Sequence, residues 1–243
     1  MIEAQGFAGA EKTNTSFLSP LERRLAPIVI PRIPEWLETY HLTLLTLLWS
    51  LMIVVFSFLA ARNLRWLWMV SLMIFLQWVT DHYDGKIGKY RNTGLVRWGY
   101  YMDHLLDYVF LCSILIGYAF ILPEHSRFQL LLMLALFAAY DFSTFLAFAA
   151  TDKLQISYLK FGPTEFRLAL IIINGLVASF GTKYMIGGLK WVNAGAAIGL
   201  CFLVYETQKK IWKLDMKAAQ PKELARMEPL LEKPYVPARE CTF

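Results

Sequence analysis

Long apolar segments dominate this sequence and restrict its fold more than any other feature. Six of them recur, separated by short polar stretches, at residues 41–61, 64–80, 101–122, 128–150, 164–180 and 191–205. An α-helix rises about 1.5 Å per residue, so each segment can cross most or all of a hydrocarbon core about 30 Å thick. The sequence therefore predicts an all-α integral membrane protein with six transmembrane helices.

The composition argues against a soluble globular domain. Of the 243 residues, 57% are hydrophobic and 18% are charged, whereas about a quarter are charged in a typical soluble domain. The net charge of +5 is compatible with nucleic-acid binding, but basic residues also gather in the cytoplasmic loops of membrane proteins. The three cysteines, Cys112, Cys201 and Cys241, are scattered and form no pair typical of a zinc site or a disulfide framework. We expect a membrane as partner and no nucleic acid.

The chain divides into four regions. Residues 1–17 are polar and are predicted to be disordered. Residues 18–40 mix apolar residues with arginines and prolines; they are too charged to span a membrane and are predicted to be an interfacial amphipathic segment. Residues 41–208 form the predicted six-helix transmembrane domain, and residues 209–243 form a polar tail.

The distribution of basic residues predicts the orientation. With a cytoplasmic N-terminus, the cytoplasmic side carries 19 Lys and Arg residues and the opposite side carries 5. Cytoplasmic loops are enriched in Lys and Arg, so both termini and the loop after the second segment are predicted to be cytoplasmic. The sequence does not distinguish a bacterial inner membrane from a eukaryotic endomembrane.

Four aspartates stand out at the cytoplasmic ends of the second and third segments. Asp81 and Asp84 are three residues apart and share a helix face if the second helix continues past Thr80; Asp103 and Asp107 are one helical turn apart. Two antiparallel helices would thus present four carboxylates to one another where the membrane meets the cytoplasm.

Four carboxylates so close together need compensation, because their mutual repulsion disfavours the ionised forms. Hard divalent cations prefer oxygen ligands, and two metals bridged by carboxylates can polarise a phosphate and stabilise a leaving oxygen. The interleaved Gly85, Gly88 and Gly99 allow close approach of a ligand or of another helix. A divalent-cation transporter or another metal-binding membrane protein is the alternative, although transporter acids tend to lie near the membrane midplane.

These residues resemble the signature of the CDP-alcohol phosphotransferase family, D-x2-D-G-x2-A-R-x8-9-G-x3-D-x3-D. The sequence has Asp81-x2-Asp84-Gly85-x2-Gly88-Lys89-x9-Gly99-x3-Asp103-x3-Asp107. The family's Ala-Arg pair is replaced by Gly88-Lys89. Lysine keeps the positive charge but lacks the planar fork of arginine, and Arg91 lies close enough in sequence to substitute for it.

The resemblance implies a transferase of phospholipid synthesis that moves a substituted phosphate from a CDP-linked donor to an alcohol and releases CMP. It implies two divalent ions, Mg²⁺ or alternatively Mn²⁺, bound by the four aspartates, with Asp107 as general base. It also implies donor binding by Gly85, Gly88, Lys89, Gly99 and Arg91, and a homodimer.

Two substrate arrangements fit this resemblance. In one, CDP-diacylglycerol reacts with a small polar alcohol; in the other, CDP-choline or CDP-ethanolamine reacts with a lipid alcohol. The neighbours Lys86 and His104 of the motif aspartates look slightly more like the second, amino-alcohol branch. Glu165 and Arg167, at the start of the fifth segment, can contact the acceptor or the donor headgroup, or can simply belong to a helix start. Asp141, inside the fourth segment, has no assigned role.

Overall fold

A computed structural model describes residue 27, residues 29–151 and residues 163–231, apart from the side chains of residues 217–231. This described part is helical, without β-strands. Its six long helices are α1 (Thr39–Ala60), α2 (Leu67–Arg91), α3 (Val96–Ile121), α4 (Arg127–Thr151), α5 (Pro163–Phe180) and α6 (Lys183–Leu231). Short 3₁₀ helices occur at Ile30–Arg32, Leu64–Trp66 and Glu124–Ser126. The predicted disordered residues 1–17 lie outside the described residues.

Five of the described helices are long and apolar enough to cross a membrane, namely Thr39–Ala60, Val96–Ile121, Glu124–Thr151, Pro163–Phe180 and Lys183–Met216. The prediction of an all-α integral membrane protein is confirmed at this level. Helix α2 is not among the five, because the polar residues from Thr80 onwards lower its hydropathy. The sixth span, the cytoplasmic orientation and the interfacial location of residues 18–40 stay predictions.

Helix α1 shows the packing expected of a helix surrounded by lipid. Its buried face is made of small and hydroxyl-bearing residues: Thr39, Thr43, Thr46, Ser50, Ser57 and Ala60 are buried, with Leu42 and Ile53. Large side chains such as Leu51 and Phe58 are exposed. In lipid there is no hydrophobic stabilisation from burying apolar side chains, so large ones can remain on the helix surface. Small residues at the buried face allow helices to approach closely. Ser57, for example, packs directly against Gly117 of α3.

The turn between α2 and α3 places the two halves of the aspartate motif at the same end of the molecule. Helix α2 ends at Arg91 and is capped by Asn92, whose φ of 54° is left-handed; Gly94 follows with a φ of 72°. The Thr93 amide donates to the Gly88 carbonyl at 3.1 Å and satisfies one of the last carbonyls of the helix. Asparagine and glycine tolerate left-handed backbone, so this sequence permits an abrupt reversal.

Helix α1 packs against both α2 and α3, α5 packs on α2, and α4 packs on α3. One apolar core joins them; it includes Ile53 of α1, Ile74 of α2, Ile114 of α3 and Leu170 of α5. Tertiary contacts divide the chain into two units, residues 1–201 and residues 202–243. All residues of the aspartate motif lie in the first unit.

Candidate active site

Three motif carboxylates converge between α2 and α3. One carboxylate oxygen each from Asp81, Asp103 and Asp107 lie within 4.8 Å of one another, and all three residues are partly buried. Asp81 follows the apolar part of α2, whereas Asp103 and Asp107 lie on successive turns of α3. The antiparallel arrangement predicted from the sequence therefore brings these three side chains together.

The donor set of this cluster fits a hard divalent cation. Mg²⁺ binds oxygen ligands at about 2.0–2.1 Å, so two oxygens on one ion are separated by at most about 4.2 Å. The three oxygens lie within 4.8 Å of one another, which is close to the separation that one ion requires. The cluster holds carboxylates and no thiolate or imidazole, which suits Mg²⁺ or Mn²⁺ better than a softer metal.

Asp84 has surroundings different from those of the other three aspartates. Its side chain is buried; Thr43 of α1 donates its hydroxyl to Asp84 Oδ2 at 2.7 Å, and the Gly85 amide donates to Oδ1. Asp84 lies beyond the apolar part of α2, and burial raises its pKa to about 7. The hydrogen bond from Thr43 opposes this rise, whereas the charges of Asp103 and Asp81 add to it. Asp84 is thus next to the three-carboxylate cluster but not part of it.

Arg167 of α5 is the cationic partner of the cluster. Its Nη2 lies 2.8 Å from Asp107 Oδ1 and 3.1 Å from Asp81 Oδ2. Its Nε donates to Gln77 Oε1 at 2.6 Å, and its guanidinium lies 5.5 Å from the centre of the Phe110 ring. The side chain is buried, so this is an internal ion pair rather than a surface contact.

The first turn of α5 is fixed against α2, which positions Arg167. Trp78 Nε1 donates to Thr164 Oγ1 at 3.2 Å, one turn before Arg167. Arg167, Leu170, Asn174 and Val177 form the buried face of α5. Glu165 is half-buried on the same first turn; its predicted contact with the acceptor stays a prediction.

The motif glycines differ in the space around them. A Cβ atom at Gly88 would lie 2.9 Å from Thr39 Oγ1, so α1 and α2 approach closely there. At Gly85 and Gly99, a Cβ atom would have no neighbouring side chain or helix of the described residues within 4 Å. The space beside Gly85 and Gly99 is therefore open to a ligand, whereas a side chain at Gly88 would press on Thr39 of α1.

The two basic residues predicted to bind the donor have different environments. Lys89 is exposed. Arg91 donates to the carbonyl oxygens of Ile33, Pro34, Glu35 and Leu37 at 2.8–3.2 Å, and lies 3.8 Å from a Glu38 carboxylate oxygen. Arg91 therefore ties the segment before α1 to the end of α2, and its role in donor binding stays a prediction.

Histidines beside the motif pack against aromatic rings. His82 stacks on Trp78 and contacts Lys86 Nζ; the Nδ1 of His104 lies 2.8 Å from the Tyr100 carbonyl oxygen. Asp141 is at an exposed position of α4, and no role follows for it from this placement.

Two site residues were missed in the sequence, Thr43 and Gln77. Both are polar residues inside apolar segments, and buried polar residues in membrane helices usually have a partner. Gln77 precedes Asp81 by one helical turn, and Thr43 belongs to the hydroxyl-bearing face of α1. These patterns were available, but only the packing of α1 and α5 on α2 shows which partner each residue has.

A family model described as CDP-alcohol phosphatidyltransferase matches residues 40–203. This range covers more than half of the chain and includes every residue of the aspartate motif, so the protein belongs to the CDP-alcohol phosphatidyltransferase family. Its members are transferases that move substituted phosphate groups from CDP-alcohols in phospholipid synthesis. No curated protein and no solved structure matches the chain significantly.

Proposed function

We propose that this protein is a metal-dependent phosphotransferase that releases CMP while joining a CDP-linked donor to an alcohol acceptor at the cytoplasmic surface of a membrane. Family membership establishes the class of reaction. The observation that carries the metal dependence is the convergence of Asp81, Asp103 and Asp107 oxygens within 4.8 Å, contributed by two antiparallel helices.

Asp81, Asp84, Asp103 and Asp107 would hold two divalent ions, Mg²⁺ or Mn²⁺. Bound there, the ions would neutralise charge on the donor pyrophosphate and on the departing CMP. Asp84 is held by Thr43 and lies outside the three-carboxylate cluster. It would therefore bind one of the two ions from the side away from the cluster. The open space beside Gly85 and Gly99 supports approach of the donor nucleotide. Lys89 and Arg91 would contact its phosphates.

Asp107 is the residue we assign as general base. It would accept the proton of the acceptor hydroxyl, whose oxygen attacks the phosphorus distal to the cytidine, and the bond from that phosphorus to CMP breaks. Arg167 contacts Oδ1 of Asp107 at 2.8 Å. The second oxygen of Asp107 can then face the acceptor.

The donor is either CDP-choline or CDP-ethanolamine with a lipid alcohol as acceptor, or CDP-diacylglycerol with a small polar alcohol. Both arrangements suit a site at the end of membrane helices, where a soluble and a lipid substrate can meet. Glu165, on the first turn of α5, is our candidate for contact with the acceptor or headgroup. A homodimer stays a prediction from the family resemblance.

A donor panel tests this proposal. The purified full chain, reconstituted in lipid with Mg²⁺, is given each donor with its matching acceptors, and released CMP is measured. We expect CMP from one donor class, and loss of turnover in Asp107→Asn with partial retention of metal binding. Failure of every donor–acceptor pair, together with Mg²⁺ or Mn²⁺ flux into protein-containing liposomes, would instead support the cation-transporter alternative.

A further inference from the structure

Arg167 of α5 connects a carboxylate of α2 with a carboxylate of α3. A single nitrogen, Nη2, contacts Asp81 of one helix at 3.1 Å and Asp107 of the other at 2.8 Å. These are two of the three residues whose oxygens converge in the cluster. The guanidinium thus offsets part of the carboxylate charge.

The guanidinium of Arg167 is held in place by buried neighbours. The residue is 4% exposed, and Gln77, which is fully buried, accepts a hydrogen bond from its Nε at 2.6 Å. The Phe110 ring covers the guanidinium at 5.5 Å. A buried arginine in an apolar environment needs such partners, because an unpaired internal charge is costly.

We propose that Arg167 is an internal counterion that competes with divalent metal for Asp81 and Asp107. This inference rests on the proposed function only in that the same aspartates bind the metal. A Mg²⁺ ion bridging the two contacted oxygens would lie about 2.0–2.1 Å from each. Nη2 already lies 3.1 Å and 2.8 Å from these two oxygens, so a bridging ion and the nitrogen cannot occupy this space together.

Competition between Arg167 and the metal predicts the opposite change in metal affinity from an Arg167 that only orients the metal ligands. Arg167 could instead only orient the two carboxylates, while their other oxygens bind the metal. In that case removal of Arg167 would weaken metal binding. If Arg167 is displaced by the metal, its removal strengthens binding, because the metal no longer has to break two ion pairs or remain near a fixed positive charge. The sign of the change therefore separates the two roles.

The experiment measures Mn²⁺ binding to the full chain in lipid nanodiscs at pH 8 without nucleotide, using the electron paramagnetic resonance signal of free Mn²⁺. We expect Arg167→Gln to bind Mn²⁺ at least about tenfold more tightly than the unmodified protein. The metal-free melting temperature of Arg167→Gln should be lower, and Mn²⁺ should raise it more than it raises that of the unmodified protein.

Arg127→Gln is the matched control. Arg127 forms an exposed ion pair with Glu124 at 3.1 Å, at the start of α4, so its removal should leave Mn²⁺ affinity unchanged. Equal or weaker Mn²⁺ binding by Arg167→Gln, including undetectable binding by both proteins, overturns the counterion role.

A second variant protects the test against misfolding. If Arg167→Gln yields no folded protein, Arg167→Lys is measured instead. Its single ammonium cannot hold Gln77, Asp81 and Asp107 together, so we expect several-fold tighter Mn²⁺ binding; affinity equal to or below that of the unmodified protein overturns the inference.

The outcome is separable from that of the donor panel. Suppose that Arg167→Gln binds Mn²⁺ more tightly but the unmodified protein releases no CMP from any donor. This result would support the counterion role of Arg167 and refute the proposed transfer reaction. CMP release by the unmodified protein with no gain in Mn²⁺ affinity in Arg167→Gln would refute the counterion alone.

Discussion

Thr43 orients Asp84 through a hydrogen bond between α1 and α2. A hydrogen bond to a charged group contributes about 1.5–3 kcal/mol, so its loss should matter for an aspartate that binds metal. We predict that Thr43→Val, which keeps the shape and removes the hydroxyl, lowers Mn²⁺ affinity roughly tenfold. Thr43→Ser, which keeps the hydroxyl, should stay near the unmodified protein. Equal affinities of the valine and serine variants would show that Asp84 does not depend on Thr43.

Gly85 lies on α2 with open space where a side chain would start. Alanine is favoured over glycine in a helix by about 0.5–1 kcal/mol, so Gly85→Ala should be at least as stable as the unmodified protein. If the donor nucleotide approaches this surface, the methyl group should nevertheless raise the donor KM several-fold.

Gly187→Ala on α6, which is also in open space, is the control for Gly85→Ala. The control should share the gain in melting temperature without the change in KM. A donor KM of Gly85→Ala equal to that of the control would remove Gly85 from the nucleotide site.

Among single residues, the aspartates were predictable and their partners were not. The spacing of Asp81, Asp103 and Asp107 predicts convergence because a helix and its antiparallel neighbour have regular geometry. Asp84, predicted with them, lies apart from the cluster because it turns towards Thr43. The attachment of Arg167 to the cluster depends on the packing of α5 against α2, which no local pattern in the sequence specifies.

At the scale of elements, Arg91 connects the segment before α1 to the end of α2. Its guanidinium donates to four backbone carbonyls between Ile33 and Leu37. We predict that Arg91→Gln speeds amide hydrogen exchange in residues 33–42 and lowers stability by about 1–3 kcal/mol, because the half-buried carbonyls of Ile33 and Leu37 lose a charged donor. Arg91→Lys should not restore protection, since one ammonium cannot reach all four oxygens.

Lys89→Gln is the control for Arg91→Gln, because Lys89 lies two residues before Arg91 on α2 and is exposed. It should leave hydrogen exchange in residues 33–42 unchanged. A rise in donor KM in Arg91→Gln with unaltered exchange would contradict the structural role and support donor binding by Arg91 instead.

The elements themselves were largely predictable, because apolar length marks a membrane helix. Their ends were less so. Helix α2 continues past Thr80 to Arg91, and α3 begins at Val96, five residues before the apolar segment. Polar residues here extend the helices because Asn92 and Gly94, rather than the loss of hydropathy, produce the reversal.

At the scale of the whole molecule, the predicted topology requires that α2 crosses the membrane. If it does, the α1–α2 and α2–α3 connections lie on opposite sides. We predict that, with Cys112, Cys201 and Cys241 replaced by alanine, an impermeant maleimide labels Asn63→Cys from outside intact cells. It should label Leu95→Cys only after permeabilisation.

Both target positions are exposed, so accessibility of the thiol is not limited by packing. Labelling of both positions from the same side would contradict a spanning α2. The sequence predicts six spans, of which five match described helices that are long and apolar enough. Residues 151–163 and the two termini contribute basic residues to the predicted orientation, so labelling also tests the 19 to 5 charge distribution.

We expect CMP release by this protein to depend on divalent metal bound by the α2 and α3 carboxylates. The direct measurement is CMP release by the reconstituted protein and by Asp103→Asn, after treatment with EDTA and on return of Mg²⁺. We expect no CMP in EDTA, recovery of release when Mg²⁺ is returned to the unmodified protein, and at least about a hundredfold lower release by Asp103→Asn. CMP release that persists in EDTA, or that Asp103→Asn retains in full, would contradict it.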